Sequence, residues 1–141
     1  RQQSRPRPKA RLPPAMTASV VMLVAGYLGE VAGAGSAALW PCFAIGMAGW
    51  LYIVYEIFAG EASKISAANG TAASQRAFNA LRLIVTIGWS IYPLGYVYGY
   101  AGGGDADTLN LIYNLADFVN KIAFGVVIWA AATSSESSEA A

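Results

Sequence analysis

Histidine is absent from this 141-residue chain, and cysteine occurs once, as Cys42. The first absence removes histidine-based catalytic triads and histidine zinc sites. The second removes an internal disulfide and any multi-cysteine metal centre. Charge is scarce as well: Asp, Glu, Lys and Arg make up 12% of the residues, roughly half the soluble average. What the chain has instead is apolar surface, with 56% hydrophobic residues and a mean hydropathy of +0.45. That balance excludes a disordered chain and an ordinary cytosolic one, and the length suits a single domain. The net charge of +1 hides an asymmetry, because Arg1, Arg5, Arg7, Lys9 and Arg11 crowd the first eleven positions. The expected fold is an all-α transmembrane bundle.

Four long apolar stretches carry that expectation, running over about 16–28, 37–59, 78–100 and 108–132. Each approaches the roughly 20 residues that a helix needs to cross about 30 Å of hydrocarbon. Barrel strands would be about half as long and would alternate, which these do not. All four are apolar around the whole helical circumference, against a soluble bundle with a greasy core. Basic residues set the expected orientation. The arm before the first stretch carries five, the 30–36 loop none, the 61–77 loop Lys64 and Arg76, and the AGGGDAD loop only Asp105 and Asp107. The positive-inside rule then puts both termini and the 61–77 loop in the cytoplasm of a multi-pass protein of the bacterial inner membrane. The sequence divides into a basic, proline-rich arm (1–15) expected to be disordered, a membrane region (16–133) and a polar, disordered tail (134–141). A cleaved signal peptide is a poor fit to the proline-broken arm.

Several patterns receive a bland reading. Asn69-Gly70-Thr71 fits a glycosylation sequon but falls on the cytoplasmic face. Gly95/Gly99 and Gly99/Gly103 are GxxxG spacings whose expected use is close helix packing, with homo-oligomer formation as the alternative. The basic arm suits anionic headgroups of the lipid bilayer better than nucleic acid. The GGGDAD stretch lacks the ligand ladder of a calcium loop and reads as a turn.

Ionisable residues inside a membrane are costly, which makes them functional candidates. The fourth stretch has two, Asp117 and Lys121, at i and i+4, hence on one helix face. Lys121 lies roughly 20 Å along the helix from Thr108, near mid-bilayer. One reading is a plain ion pair fixing helix packing, although such a pair often stabilises less than apolar side chains would. The other starts from desolvation, which favours the neutral amine; a neutral amine can condense with an aldehyde. The cation then formed needs an anion, and Asp117 is the carboxylate on that face. The third stretch supplies aromatic residues at helical spacing, Trp89, Tyr92 and Tyr96. Pro93 should interrupt that helix by removing a backbone donor.

These residues resemble a known family. NLIYNLADFVNKIAFGVVIW (110–129) is similar to the seventh helix of proteorhodopsins and GWSIYPLGYVYGY (88–100) to their sixth. VVMLVAGYLGE (20–30) and WPCFAIGMAGWLYIVYEIFAGE (40–61) resemble the fourth and fifth. The resemblance to these microbial rhodopsins covers about 18–130, with D-x-x-x-K and W-x-x-Y-P in register as its central motif. It implies that all-trans-retinal is bound covalently through Lys121 as a Schiff base, with Asp117 in the counterion complex. It further implies that Trp89, Tyr92 and Pro93 line the polyene, Tyr92 donating towards Asp117. Met22, Gly26, Phe43, Gly46 and Trp50 fall at positions forming the ring end and floor of the pocket, and Asn114 joins the polar network.

The departure from the family is the number of helices, four where a microbial rhodopsin has seven. The chain is therefore expected to be a carboxy-terminal fragment, helices four to seven, whose partners are retinal, lipid and the missing first three helices. The third helix carries the proton acceptor and donor in pumping relatives. The implied activity is light-driven outward proton pumping, a transporter rather than an enzyme. The alternatives are a photosensory rhodopsin, a sodium or chloride pump, and an inert truncated bundle.

Overall fold

The computed structural model describes residues 14–139, with side chains described as far as 134. Helix α1 spans Pro14–Ala32, α2 Leu39–Phe58, α3 Glu61–Asn69 and α4 Ala72–Leu83. A π-helical turn, Ile84–Gly88, follows, then α5 over Ile91–Tyr100 and α6 over Ala106–Glu139. Among the described residues, four helical stretches are long and apolar enough to cross a membrane: Pro14–Ala32, Leu39–Asn69, Ala72–Tyr100 and Ala106–Ser134.

The limits differ from those drawn on the sequence. α1 already includes Pro14 and Ala15, inside the arm assigned to 1–15, and proline is tolerated in a first helical turn, where its missing N–H is not needed. At the other end, α6 runs through Glu139, so 134–139 are helical rather than an unstructured tail. No glycine or proline stands there to stop the helix. The rest of the arm, 1–13, and residues 140–141 lie outside the described residues.

The 61–77 loop is also corrected. Its alanine- and serine-rich sequence continues as α3, and only Gly70 and Thr71 separate α3 from α4. Glu56 accepts from the Glu61 N–H at 3.1 Å and so caps α3 from the preceding turn. Thr71 caps α4, its hydroxyl accepting from the Ser74 N–H at 3.2 Å.

α1 and α2 form an antiparallel pair packed through small residues. A Cβ on Gly49 would lie 2.9 Å from the Ala18 carbonyl and 3.1 Å from the Met22 Cβ, so only glycine permits this approach. The turn between them uses Gly33 and Gly35 at φ of +74° and +83°, a region favourable only to glycine. α5 closes on α6 in the same way: Cβ atoms on Gly95 and Gly99 would fall 2.6 Å from Tyr113 and 2.7 Å from Leu109. Gly95 and Gly99 thus pack within the chain. Gly103 does not belong to that stripe, since it sits in the turn before α6 at φ +72°.

Buried side chains are few, among them Ala25, Leu39, Ile53, Tyr96, Leu109 and Ala116, and no buried polar residue occurs among the described residues. Large apolar side chains point outward instead, Leu94, Leu111 and Trp129 among them. In water that arrangement would be unstable; in lipid it is the expected one, because hydrocarbon solvates apolar side chains and the helices satisfy their own backbones.

Candidate ligand-binding site

The third span carries the site's main irregularity. Pro93 has no N–H to offer the Trp89 carbonyl four residues back, and its ring crowds that position. The Trp89 carbonyl accepts from Tyr92 N–H instead, at 3.2 Å. Upstream, the Trp89 N–H reaches five residues back to Ile84 at 3.1 Å, and Ser90 only three back, to Ile87. The four-residue ladder therefore lapses between Gly88 and Ile91. Two carbonyls of the π-helical turn, Ile84–Gly88, take partners from other spans. Val85 accepts from the Trp50 indole N–H at 3.0 Å, and Gly88 from the Asn120 amide at 3.1 Å. The interruption expected from Pro93 is present, one turn ahead of the ring that causes it.

This irregular segment, α5, α1, α2 and α6 together wall a cavity of about 870 Å³. Lys121 and Asp117 lie in its wall from α6, and their side chains form an ion pair. The second Asp117 oxygen accepts from the Tyr92 hydroxyl at 2.5 Å. Trp89, Tyr92 and Pro93 line the cavity from the third span, and Met22, Gly26, Phe43, Gly46 and Trp50 from the first two. Ten of the eleven site residues singled out in the sequence thus meet at one cavity. The remaining one, Asn114, does not line it and is exposed. One turn of helix explains this: Asn114 points about 60° away from Asp117, on the side opposite Tyr113 and Asn120.

Tyr113 and Asn120 are among the cavity-lining residues that the sequence reading missed, as are Glu30, Tyr27 and Phe124. Tyr113 and Phe124 repeat the helical spacing of Asp117 at i−4 and i+7, which was a usable signal. Nothing local marks Asn120 or Glu30. Glu30 stands at the α1 end of the cavity and accepts from the Tyr100 hydroxyl at 2.7 Å. Between Glu30 and Asp117 the wall carries Tyr96, whose hydroxyl donates to the Leu39 carbonyl, and Tyr113, whose hydroxyl donates to the Tyr92 carbonyl, both at 3.2 Å.

The four spans leave the amine and its carboxylate partner uncovered on one side. The Lys121 side chain is 76% exposed and that of Asp117 44%, because the spans wall the pair on one side only. Whatever covers the open side controls its solvation.

Fold and site define a polytopic, all-helical membrane protein with a ligand-sized chamber built around an intramembrane amine–carboxylate pair. The chain belongs to the bacteriorhodopsin-like proteins, whose family model matches residues 6–135. It is 52% identical over 117 residues to the blue-light absorbing proteorhodopsin of Gamma-proteobacterium Hot 75m4, covering 81% of this chain and 45% of that protein. The green-light absorbing proteorhodopsin of Gamma-proteobacterium EBAC31A08 is also 52% identical, over 116 residues, with the same coverage. Among solved structures, a blue light-absorbing proteorhodopsin from Med12 superposes with a TM-score of 0.70 at 47% identity, covering 86% of this chain and 54% of that one. The chain therefore spans about half the length of the relatives it matches.

Proposed function

We propose that this chain supplies the retinal-binding half of a light-driven outward proton pump of the proteorhodopsin type, corresponding to helices four to seven. The observation that carries the reading is the Lys121–Asp117 pair set into a chamber walled by Trp89, Tyr92, Phe43 and Trp50. The chamber's volume lies within the roughly 300–1,000 Å³ of pockets that enclose small organic ligands. Its wall is apolar apart from a few convergent groups, which suits a polyene with one reactive end. When bound, retinal supplies absorption of visible light and a change of shape.

The remaining chemistry belongs to the chain. Lys121 provides the nitrogen for attachment. Asp117 holds negative charge beside that nitrogen and is itself held by Tyr92, so that its carboxylate cannot swing away. Trp89 and Tyr92 restrict the space beside the pair. Tyr113 and Tyr96 line the same chamber as Asp117 and Glu30, their hydroxyls held by backbone carbonyls, and Glu30 sits at the end that charge asymmetry assigns to the outside. The exposed side of the ion pair supports completion by the first three helices, which would exclude lipid and water from it.

Adding all-trans-retinal to membranes containing the chain together with a three-helix segment from a proteorhodopsin should give a visible band. Borohydride trapping should then place the label on Lys121, and Lys121→Ala should abolish the band. An unlabelled Lys121 peptide in coloured material would overturn the assignment. Light-driven acidification of the medium, cancelled by protonophore, separates a proton pump from a photosensor or a sodium or chloride pump.

A further inference from the structure

The carbonyl of Gly88, at the end of the π-helical turn, lies beside Pro93's interruption and accepts from the side chain of Asn120, on α6. Asn120 is the residue immediately before Lys121 and lines the same cavity. Its amide fills the space that a Cβ on residue 88 would need, so asparagine at 120 leaves room only for glycine at 88. Trp50 holds the other end of the irregular segment through the Val85 carbonyl.

We propose that Asn120 is a positioning residue: its amide clips the π-helical turn to α6 next to Lys121, so that the hydrogen-bond register of Ile84–Gly88 and the placement of the Lys121 side chain are set together. A π-helical turn holds one residue more than an α-helical turn and persists where side chains satisfy the carbonyls it displaces. Asn120 does this for Gly88 from the helix that bears the amine. The consequence for light-driven chemistry rests on the retinal reading above; the clip itself does not.

The test is therefore made without retinal first, on the full chain in lipid bilayers. Asn120→Ala removes the donor, Asn120→Leu removes it while keeping the branched shape, and Gly88→Ala displaces it without touching residue 120. Each should speed hydrogen exchange at the Trp89 and Ser90 amides about threefold to tenfold, the protection that one hydrogen bond confers. Exchange in α1 should be unchanged, and the carbonyl carbon signal of residue 88 in the Asn120 variants should move upfield. Combining Gly88→Ala with Asn120→Ala should add nothing, because the Cβ then has room. Unchanged exchange in Asn120→Leu, or additive effects in the double variant, would overturn the proposal. In the retinal-loaded assembly, Asn120→Leu should change the recovery time after a flash at least threefold; identical recovery would overturn the link to Lys121. A wild-type assembly that never colours counts against the retinal reading alone, since the exchange data decide the clip.

Discussion

Asp117 has both carboxylate oxygens engaged, one by Lys121 and one by Tyr92, and the two partners hold it differently. Lys121 offers charge; Tyr92 offers a single hydrogen bond from a half-buried ring. Asp117→Asn should consequently displace the visible band of the retinal-loaded assembly further than Tyr92→Phe does, as absorption spectra of the two variants would reveal. Tyr92→Phe should also cost about 1 kcal/mol of folding stability, the usual net worth of one hydrogen bond. Equal spectral shifts would mean that the carboxylate's charge is not what the site uses. Both residues were legible from the i, i+4 spacing and from W-x-x-Y-P. Asn120 was not: an asparagine on an apolar helix gains a role only when Gly88 of another helix arrives opposite it.

Helices α1 and α2 depend on glycine at their crossing. Gly49→Val should destabilise the chain by about 1–3 kcal/mol through overpacking against Ala18 and Met22. Gly125→Ala, where a Cβ meets nothing, should cost nothing, and reversible unfolding in lipid would compare the two. The start of α6 gives a prediction in pH. Asp105 is its N-cap, accepting from the Thr108 N–H at 2.8 Å. Hydrogen bonding by Thr108, side chain first and backbone second, holds its carboxyl below the ordinary value of 3.8. Because the folded value is the lower one, the cap's contribution is complete above the ordinary carboxylate range and is lost as pH falls through the depressed value. Protection of the Thr108 amide, measured against its intrinsic exchange rate at each pH, should fall over that acidic window, and Asp105→Asn, which caps without titrating, should abolish the fall.

Across the whole molecule, apolar side chains face outward and the polar pair faces an incomplete enclosure. Four spans of this composition should stay with the membrane pellet through alkaline carbonate extraction; release into the supernatant would contradict their assignment as spans. The open side of Lys121 and Asp117 adds a second expectation. Co-expression with a three-helix proteorhodopsin segment should increase retinal uptake well beyond that of the chain alone, measured as visible absorbance per mole of protein. Equal uptake would mean that the four spans suffice.

Helical class, the number of spans and the amine–carboxylate pair were determined by the sequence, because apolar run length and i, i+4 spacing are local quantities that need no partner. The stretches 88–100 and 110–129 also carry the family resemblance within the sequence itself. Tertiary structure decided the rest. Residues 61–69 became helix and the π-helical turn took its register because carbonyls and N–H groups in those stretches found side chains to meet them, Glu56 in one case, Trp50 and Asn120 in the other. Asn114 fell outside the cavity and Tyr113 inside it, a choice of about 100° around one helix that depends on where the neighbouring spans stand. Hydrogen bonds between spans couple residues dozens of positions apart, and no local pattern encodes such a pairing.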